Sequence, residues 1–262
     1  LGNRLDPNIP RGGELVLRGR CYPPDSIVPI TIENGFHQPL ATFPLDRPER
    51  PATFPLARPS WYGRVEVRGD PSSPAMSTPG ALTDILQIDA GLQHLLALRM
   101  DGTVVAWGNN SNGQNNVPPD LRGVVQVSAG ELFSCALGEN GRVVCWGANG
   151  FDQSTPPTNL TEVVQIAAGQ DHVLALRADG SIVGWGNGVN AITSAPPAAV
   201  DVVKVAAGNR FSMALNADGT IVVWGTGLNG VNAPPPGLND VVDIAAGSNF
   251  GLALRSDGTV VA

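Results

Sequence analysis

The chain has 262 residues, 42% of them hydrophobic, with 16 basic and 23 acidic side chains and a formal charge of −7. That content can bury a full core, and no run approaches the roughly 18 apolar residues that a membrane span needs. Residues 1–70 hold nine Arg and eight acidic residues, whereas 71–262 hold seven basic and fifteen acidic; so acidic a surface repels a phosphate backbone, which speaks against nucleic acid as a partner.

Residues 1–83 are the irregular third of the chain. Ala41-Thr42-Phe43-Pro44-Leu45-Asp46-Arg47-Pro48 is repeated by Ala52-Thr53-Phe54-Pro55-Leu56-Ala57-Arg58-Pro59, and Pro at this density predicts an extended polyproline-like arm or an irregular surface loop. The segment as a whole reads either as degenerate copies of the unit that follows, with Gly63 and Val65 standing 39 residues before Gly102 and Val104, or as a separate small Pro-rich β segment.

From residue 84 the chain keeps a fixed beat. Ala-Gly ends at Gly91, Gly130, Gly169, Gly208 and Gly247, and each step is 39 residues. Asp101-Gly102, Asn140-Gly141, Asp179-Gly180, Asp218-Gly219 and Asp257-Gly258 keep step, as do Trp107, Trp146, Trp185 and Trp224, each followed by Gly. A fixed period of this size is the signature of an array of identical supersecondary units. Within a unit, Val163 to Ala168, His172 to Arg177 and Ile182 to Gly186 are short runs of aliphatic and β-branched residues, the composition of strands. Asp-Gly between two such runs predicts a tight hairpin, because Gly supplies the positive φ of the turn. Polar loops ended by Pro118-Pro119, Pro156-Pro157, Pro196-Pro197 and Pro234-Pro235-Pro236 separate one unit from the next.

No unit contains a helix-length amphipathic stretch, which leaves an all-β array. The expected fold is a β-propeller with four-stranded antiparallel blades of 39 residues, and a chain of 262 holds close to seven of them. Trp is expected to fill the wedge between blades. Gly258-Thr259-Val260-Val261-Ala262 followed by Leu1-Gly2-Asn3 imitates Ala106-Trp107-Gly108-Asn109, so the N-terminal segment is expected to complete the last blade; the alternative is a fragment of a larger ring. Cys135 and Cys145 flank Asn140-Gly141, and a three-residue loop places them opposite each other, either as a disulfide of an oxidising compartment or as a reduced apolar pair. Cys21 is left over.

Catalytic signals are sparse. His94 and His172 occupy the same repeat position, and no HExxH, paired CxxC or nucleophile-elbow pattern occurs. The Asn-rich loop 109–116 carries no carboxylate for a calcium ion. No catalytic residue, metal or cofactor is expected.

With Ala-Gly, His or Phe three residues on, Leu-Ala-Leu-Arg, Asp-Gly and Trp-Gly-Asn in register, the repeats resemble those of the regulator of chromosome condensation family, most closely its short, regular bacterial version. The resemblance covers 84–262 and implies a seven-bladed propeller that serves as a protein-binding platform. No unit has an insertion that could act as the wedge of the family's nucleotide exchangers. Bacterial inhibitors of the family bind enzymes through loops at one mouth of the propeller. The matching loops here follow each Ala-Gly, and aromatic and Arg side chains are favoured anchors. That marks Leu92, Gln93, Phe133, Gln170, Asp171, Arg210, Phe211 and Phe250 as candidate partner-binding residues, with packing inside the blade as the other reading of Phe133, Phe211 and Phe250. The expected function is a non-catalytic protein-binding or scaffold module, an accessory subunit of a larger bacterial assembly or a cell-surface protein, in an extracellular, periplasmic or surface location. The alternative is a propeller lyase or hydrolase with its site at the central channel.

Overall fold

The computed structural model describes residues 30–33, 39–43, 79–80, 82–226 and 234–262. The chain divides into two compact units, residues 1–66 with 82–85, and residues 67–81 with 86–262. In the first, β1 (Ile30–Glu33) and β2 (Pro39–Phe43) pair antiparallel, Ile30 opposite Phe43, with a register shift between Ile32 and Glu33. Ala41, Thr42 and Phe43, the start of the Pro-rich duplication, therefore lie in a strand and not in a polyproline-like arm. Pro39 opens that strand, the one place where a missing N–H costs a ladder least. The rest of the duplication, the closure by Leu1 to Asn3 and most of the 1–83 segment expected to hold degenerate blades lie outside the described residues.

The second unit repeats one sheet. β3 (Ile85–Ala90), β4 (His94–Arg99) and β5 (Val104–Gly108) form the first; β6 (Val124–Ala129), β7 (Phe133–Gly138) and β8 (Val143–Gly147) the second. β9 (Val163–Ala168), β10 (His172–Arg177) and β11 (Ile182–Gly186) form the third, and β12 (Val202–Ala207), β13 (Phe211–Asn216) and β14 (Ile221–Gly225) the fourth. β15 (Val241–Ala246), β16 (Gly251–Arg255) and β17 (Val260–Val261) form the fifth. Every sheet is antiparallel with its second strand in the centre. Three strands stand where four were expected. The segment after Trp-Gly spends its hydrogen bonds on itself: Asn109 Oδ1 accepts from the Ser111 N–H at 2.8 Å and Asn110 Oδ1 from the Asn115 N–H at 2.8 Å. Pro118-Pro119 then offers no N–H to a ladder.

The hairpin turns follow their sequence. Gly102 takes φ +75° and donates to Arg99 O at 3.0 Å, while Asp101 Oδ1 accepts from the Thr103 N–H at 3.0 Å and its hydroxyl at 2.6 Å. The three-residue loop Glu139 to Gly141 sets Cys135 opposite Cys145, and the two are joined by a disulfide.

The core lies between sheets. Phe133 packs with Val163, Ile166, Val173 and Trp185 of the third sheet; Leu96 and Leu98 pack with Val124, Val127 and Trp146 of the second. Three of the repeat tryptophans tie the seam with a polar bond, the indole N–H donating to the loop of the preceding sheet: Trp146 to Gln114 O at 2.8 Å, Trp185 to Gln153 O at 3.0 Å, Trp224 to Ile192 O at 2.9 Å. The expected wedge role holds, with the N–H satisfied as a buried indole requires.

A second tie crosses the same seams. Gln126 donates its amide to Ile166 O at 2.9 Å and accepts from the Ile166 N–H at 2.9 Å; Gln87 does the same to Val127 and Gln165 to Val205. One side chain thus satisfies both backbone groups of a residue in the next sheet. At the fourth sheet the repeat position holds Lys204, which pairs with Asp243 of the fifth.

Candidate protein-binding rim

Ala-Gly builds the rim by removing side chains. The imidazole of His94 lies over Gly91, and the ring of Phe133 over Gly130, so closely that a Cβ on either glycine would overlap it. With the chain folded flat there, neighbouring loops meet backbone to backbone. The Leu92 N–H donates to Glu131 O at 3.1 Å, Glu131 to Gln170 O at 3.3 Å, Gln170 to Gly208 O at 3.2 Å and Asn209 to Ser248 O at 3.1 Å. The segments after Trp-Gly join the same edge, Asn109 donating to Gln93 O at 2.8 Å, Ala148 to Leu132 O at 3.0 Å, Asn187 to Asp171 O at 2.8 Å and Thr226 to Arg210 O at 2.9 Å. Five loops therefore form one continuous edge whose shape the main chain holds.

The side chains on that edge divide. Leu92 is 62% exposed and Phe250 53%; Gln93 and Arg210 are exposed, and Gln170 and Asp171 half-buried. Phe133 and Phe211 are 0% and 1% exposed and cannot touch a partner. They fill the seam against the next sheet, so of the two readings of these phenylalanines the packing one is correct. Two further apolar side chains stand exposed in the adjoining loops, Phe151 and Val189. Their signal in the sequence was a large apolar residue in an otherwise small and polar loop.

Charge on the edge is slight and mixed. Burial and the nearby Glu131 carboxylate raise the Asp171 carboxyl above its ordinary value, and Arg210 opposes them. No group of three or more His, Cys, Asp or Glu side chains could hold a metal ion among the described residues.

The two histidines lie just beneath. His94 Nε2 is 3.0 Å from Ser134 Oγ, and that hydroxyl donates to Gln114 O at 2.9 Å; His172 Nε2 is 3.0 Å from Ser212 Oγ, which donates to Ile192 O at 2.7 Å. A His–Ser contact is the start of a nucleophile site. Here both serines are fully buried and their protons are committed to main-chain carbonyls, so the geometry serves packing.

The regulator of chromosome condensation (RCC1) repeat matches the chain at residues 85–114, 124–153, 163–191, 202–231 and 241–262. No curated protein matches the sequence. Among solved structures, the chain is similar to Prp20p of Saccharomyces cerevisiae, at 22% identity and TM-score 0.55 over 64% of this chain and 55% of that one. It is also similar to the ectodomain of the Arabidopsis thaliana receptor kinase ACR4, at 26% identity and TM-score 0.55 over 72% and 66%, and to human WBSCR16, at 22% and 0.55 over 86% and 66%. The chain thus spans between about half and two thirds of the length of these proteins. With the repeat matched over more than half of its residues and the sheets arranged as in these propellers, the chain belongs to the regulator of chromosome condensation (RCC1) repeat family and has its β-propeller fold.

Proposed function

We propose that this propeller is a non-catalytic binding platform for another protein, and that the partner sits on the rim of Ala-Gly loops. The observation that carries this reading is the division of labour on that edge: main-chain bonds from Leu92 to Ser248 hold it, while Leu92, Gln93, Arg210, Phe250, Phe151 and Val189 present unlike side chains to solvent. A rigid scaffold displaying variable contact residues is the usual construction of a recognition surface. Relatives in the family give further support: Prp20p has binding properties to Gsp1p and histones, and has been seen with Kap60. The Cys135–Cys145 disulfide favours an oxidising location, periplasmic, extracellular or on the cell surface. An accessory subunit of a larger bacterial assembly, or a surface module, fits such a platform.

The test is capture from the native source with three baits: the protein, the rim variant L92S/R210E/F250S, and a control with Asp179→Asn and Asp218→Asn at the opposite end of the strands. A stoichiometric partner held by the first and third baits and lost by the second is the expected result. Partner loss from the control bait alone moves the site to the other end. No stoichiometric partner, together with turnover of a small substrate, replaces the platform by an enzyme.

A further inference from the structure

The second strands of the first four sheets alternate in a pattern twice as long as the repeat, which ends at the fifth, where Phe250 follows Phe211. β4 begins His94-Leu95-Leu96, β7 Phe133-Ser134-Cys135, β10 His172-Val173-Leu174 and β13 Phe211-Ser212-Met213. Each ring reaches the next sheet one residue further along its strand, so His94 meets Ser134 and His172 meets Ser212. Phe133 shares its cluster with Val173, and Phe211 shares its own with Val241, Ile244 and Ala253. Polar seams join the first sheet to the second and the third to the fourth. Where the second sheet meets the third and the fourth meets the fifth, a phenyl ring takes the place of that His–Ser contact, beside the Gln126–Ile166 bonds in one and the Lys204–Asp243 pair in the other.

The polar seams have a fixed proton arrangement. Each Ser hydroxyl gives its hydrogen to a main-chain carbonyl, so toward the imidazole it can act only as acceptor, and Nε2 must donate. Neutral imidazole carries one N–H, which leaves Nδ1 as a bare lone pair. In both rings Nδ1 is buried and has no hydrogen-bond partner. A second proton would therefore create an unpaired donor and a charge inside a sealed seam, which burial strongly disfavours. The surroundings offer no relief. Burial holds both rings down at about 4, countered at His94 only by the Phe133 backbone, and no charged group contributes to either. The titratable groups of the adjoining loops are Glu131, Asp171 and Arg210, which act on one another at the edge; in the strands, Asp89 crosses the first seam by accepting from the Ala129 N–H at 3.0 Å, and Lys204 pairs with Asp243 between the fourth and fifth sheets.

We propose that the propeller has two kinds of seam in alternation, His–Ser joints that acid opens and Phe joints that acid leaves shut, so that acid loosens the rim at every second loop. These rings are the third residues of the rim loops. Opening their seams releases the Leu92 bond to Glu131 and the Gln170 bond to Gly208, while the bonds of Glu131 to Gln170 and of Asn209 to Ser248 persist. That this would release a bound partner rests on the platform reading; the seam chemistry does not.

Amide hydrogen exchange on the full chain from pH 7 to pH 4, corrected for intrinsic rates, tests the joints without any partner. The Leu92 and Gln170 amides are expected to lose protection at least tenfold more than those of Glu131 and Asn209. Equal loss at all four, or loss at none, overturns the proposal. The paired variants H94F/S134V and H172F/S212V copy the Phe133–Val173 seam and are expected to abolish the selective loss; selective loss that survives in either folded variant also overturns it. Should the variants fail to fold, the wild-type pattern decides.

Discussion

The two ends of the strands solve different problems with the same glycine-rich vocabulary. At the hairpin end the side chains are consumed by the turn: Asp101, Asp218 and Asp257 each accept from a Thr backbone N–H and from its hydroxyl, at 2.6 to 3.0 Å. At the Ala-Gly end the glycine alone is structural, and the next two residues are free to differ, as Leu92-Gln93, Glu131-Leu132, Gln170-Asp171 and Asn209-Arg210 do. Chemistry that fixes identity at one end leaves it open at the other. The proposed platform puts recognition where identity is open.

Acid separates the ends most strongly. The exposed turn aspartates are held below the ordinary carboxylate value by the hydroxyl and N–H of Thr103, Thr220 and Thr259. Groups of this kind contribute stability that is lost only as pH falls through and below that value. His94 and His172 are depressed from 6.5 to about 4 by burial, so the unfolded chain binds their protons first, and their contribution is complete above 6.5 and drains between 6.5 and 4. Each ring can account for on the order of 3 kcal/mol when fully drained. Denaturant midpoints measured across pH should therefore fall in two stages. H94F/S134V should about halve the upper stage, with His172 supplying the remainder, and leave the lower one, whereas a fall confined to pH below 4 would remove the histidines from the account.

Glycine substitutions read the same contrast in packing. Gly130→Ala puts a Cβ into the Phe133 ring, and overlap with a fully buried side chain should cost about 3 kcal/mol by overpacking. Gly102→Ala forces a positive φ of 75° on alanine and should cost about 1 to 2 kcal/mol. Chemical denaturation of both variants checks the order; equal losses would mean that the Phe133 ring moves aside at little cost.

Much of this was legible in the repeat. The 39-residue beat marks the strands, turns and Trp seams, because each is set by local chemistry that recurs in every copy. Two things were less so. A fourth strand was expected from the architecture, and the loop sequence argues against it only once the Asn109 and Asn110 side chains are seen capping their own loop. The exposure of a rim aromatic depends on the neighbouring sheet: Phe133 and Phe211 are buried against the sheet that follows, whereas Phe250, at the same repeat position, is half exposed in the last sheet of the described residues, which has no following sheet to cover it. One signal was readable and passed over, the glutamine at 87, 126 and 165, a polar residue held at one repeat position inside an apolar strand.

That glutamine yields an effect of intermediate size. Gln126→Leu leaves the Ile166 N–H and carbonyl without the partners they now have, and unsatisfied buried groups should cost about 2 kcal/mol. Gln126→Glu keeps both donor and acceptor only while its carboxyl is protonated; once ionised it sets an oxygen against the Ile166 carbonyl, so it should be no more stable than leucine above the carboxyl's titration range and recover toward wild type below it. Denaturant unfolding ranks the three, and a leucine variant as stable as wild type would show that the seam is held by its apolar side chains alone.

The smallest expected change in stability is the most informative about function. Leu92→Ser and Arg210→Glu alter side chains that point to solvent from a backbone held by its own bonds. Such surface changes lie within about 0.5 kcal/mol, whereas loss of an interface anchor costs about 2 kcal/mol or more of binding. An unchanged melting temperature with at least a tenfold loss of affinity for a captured partner would place recognition on the rim. Unchanged affinity would leave the open identities there without a use, and the hairpin end, for all its committed aspartates, would be the surface to examine.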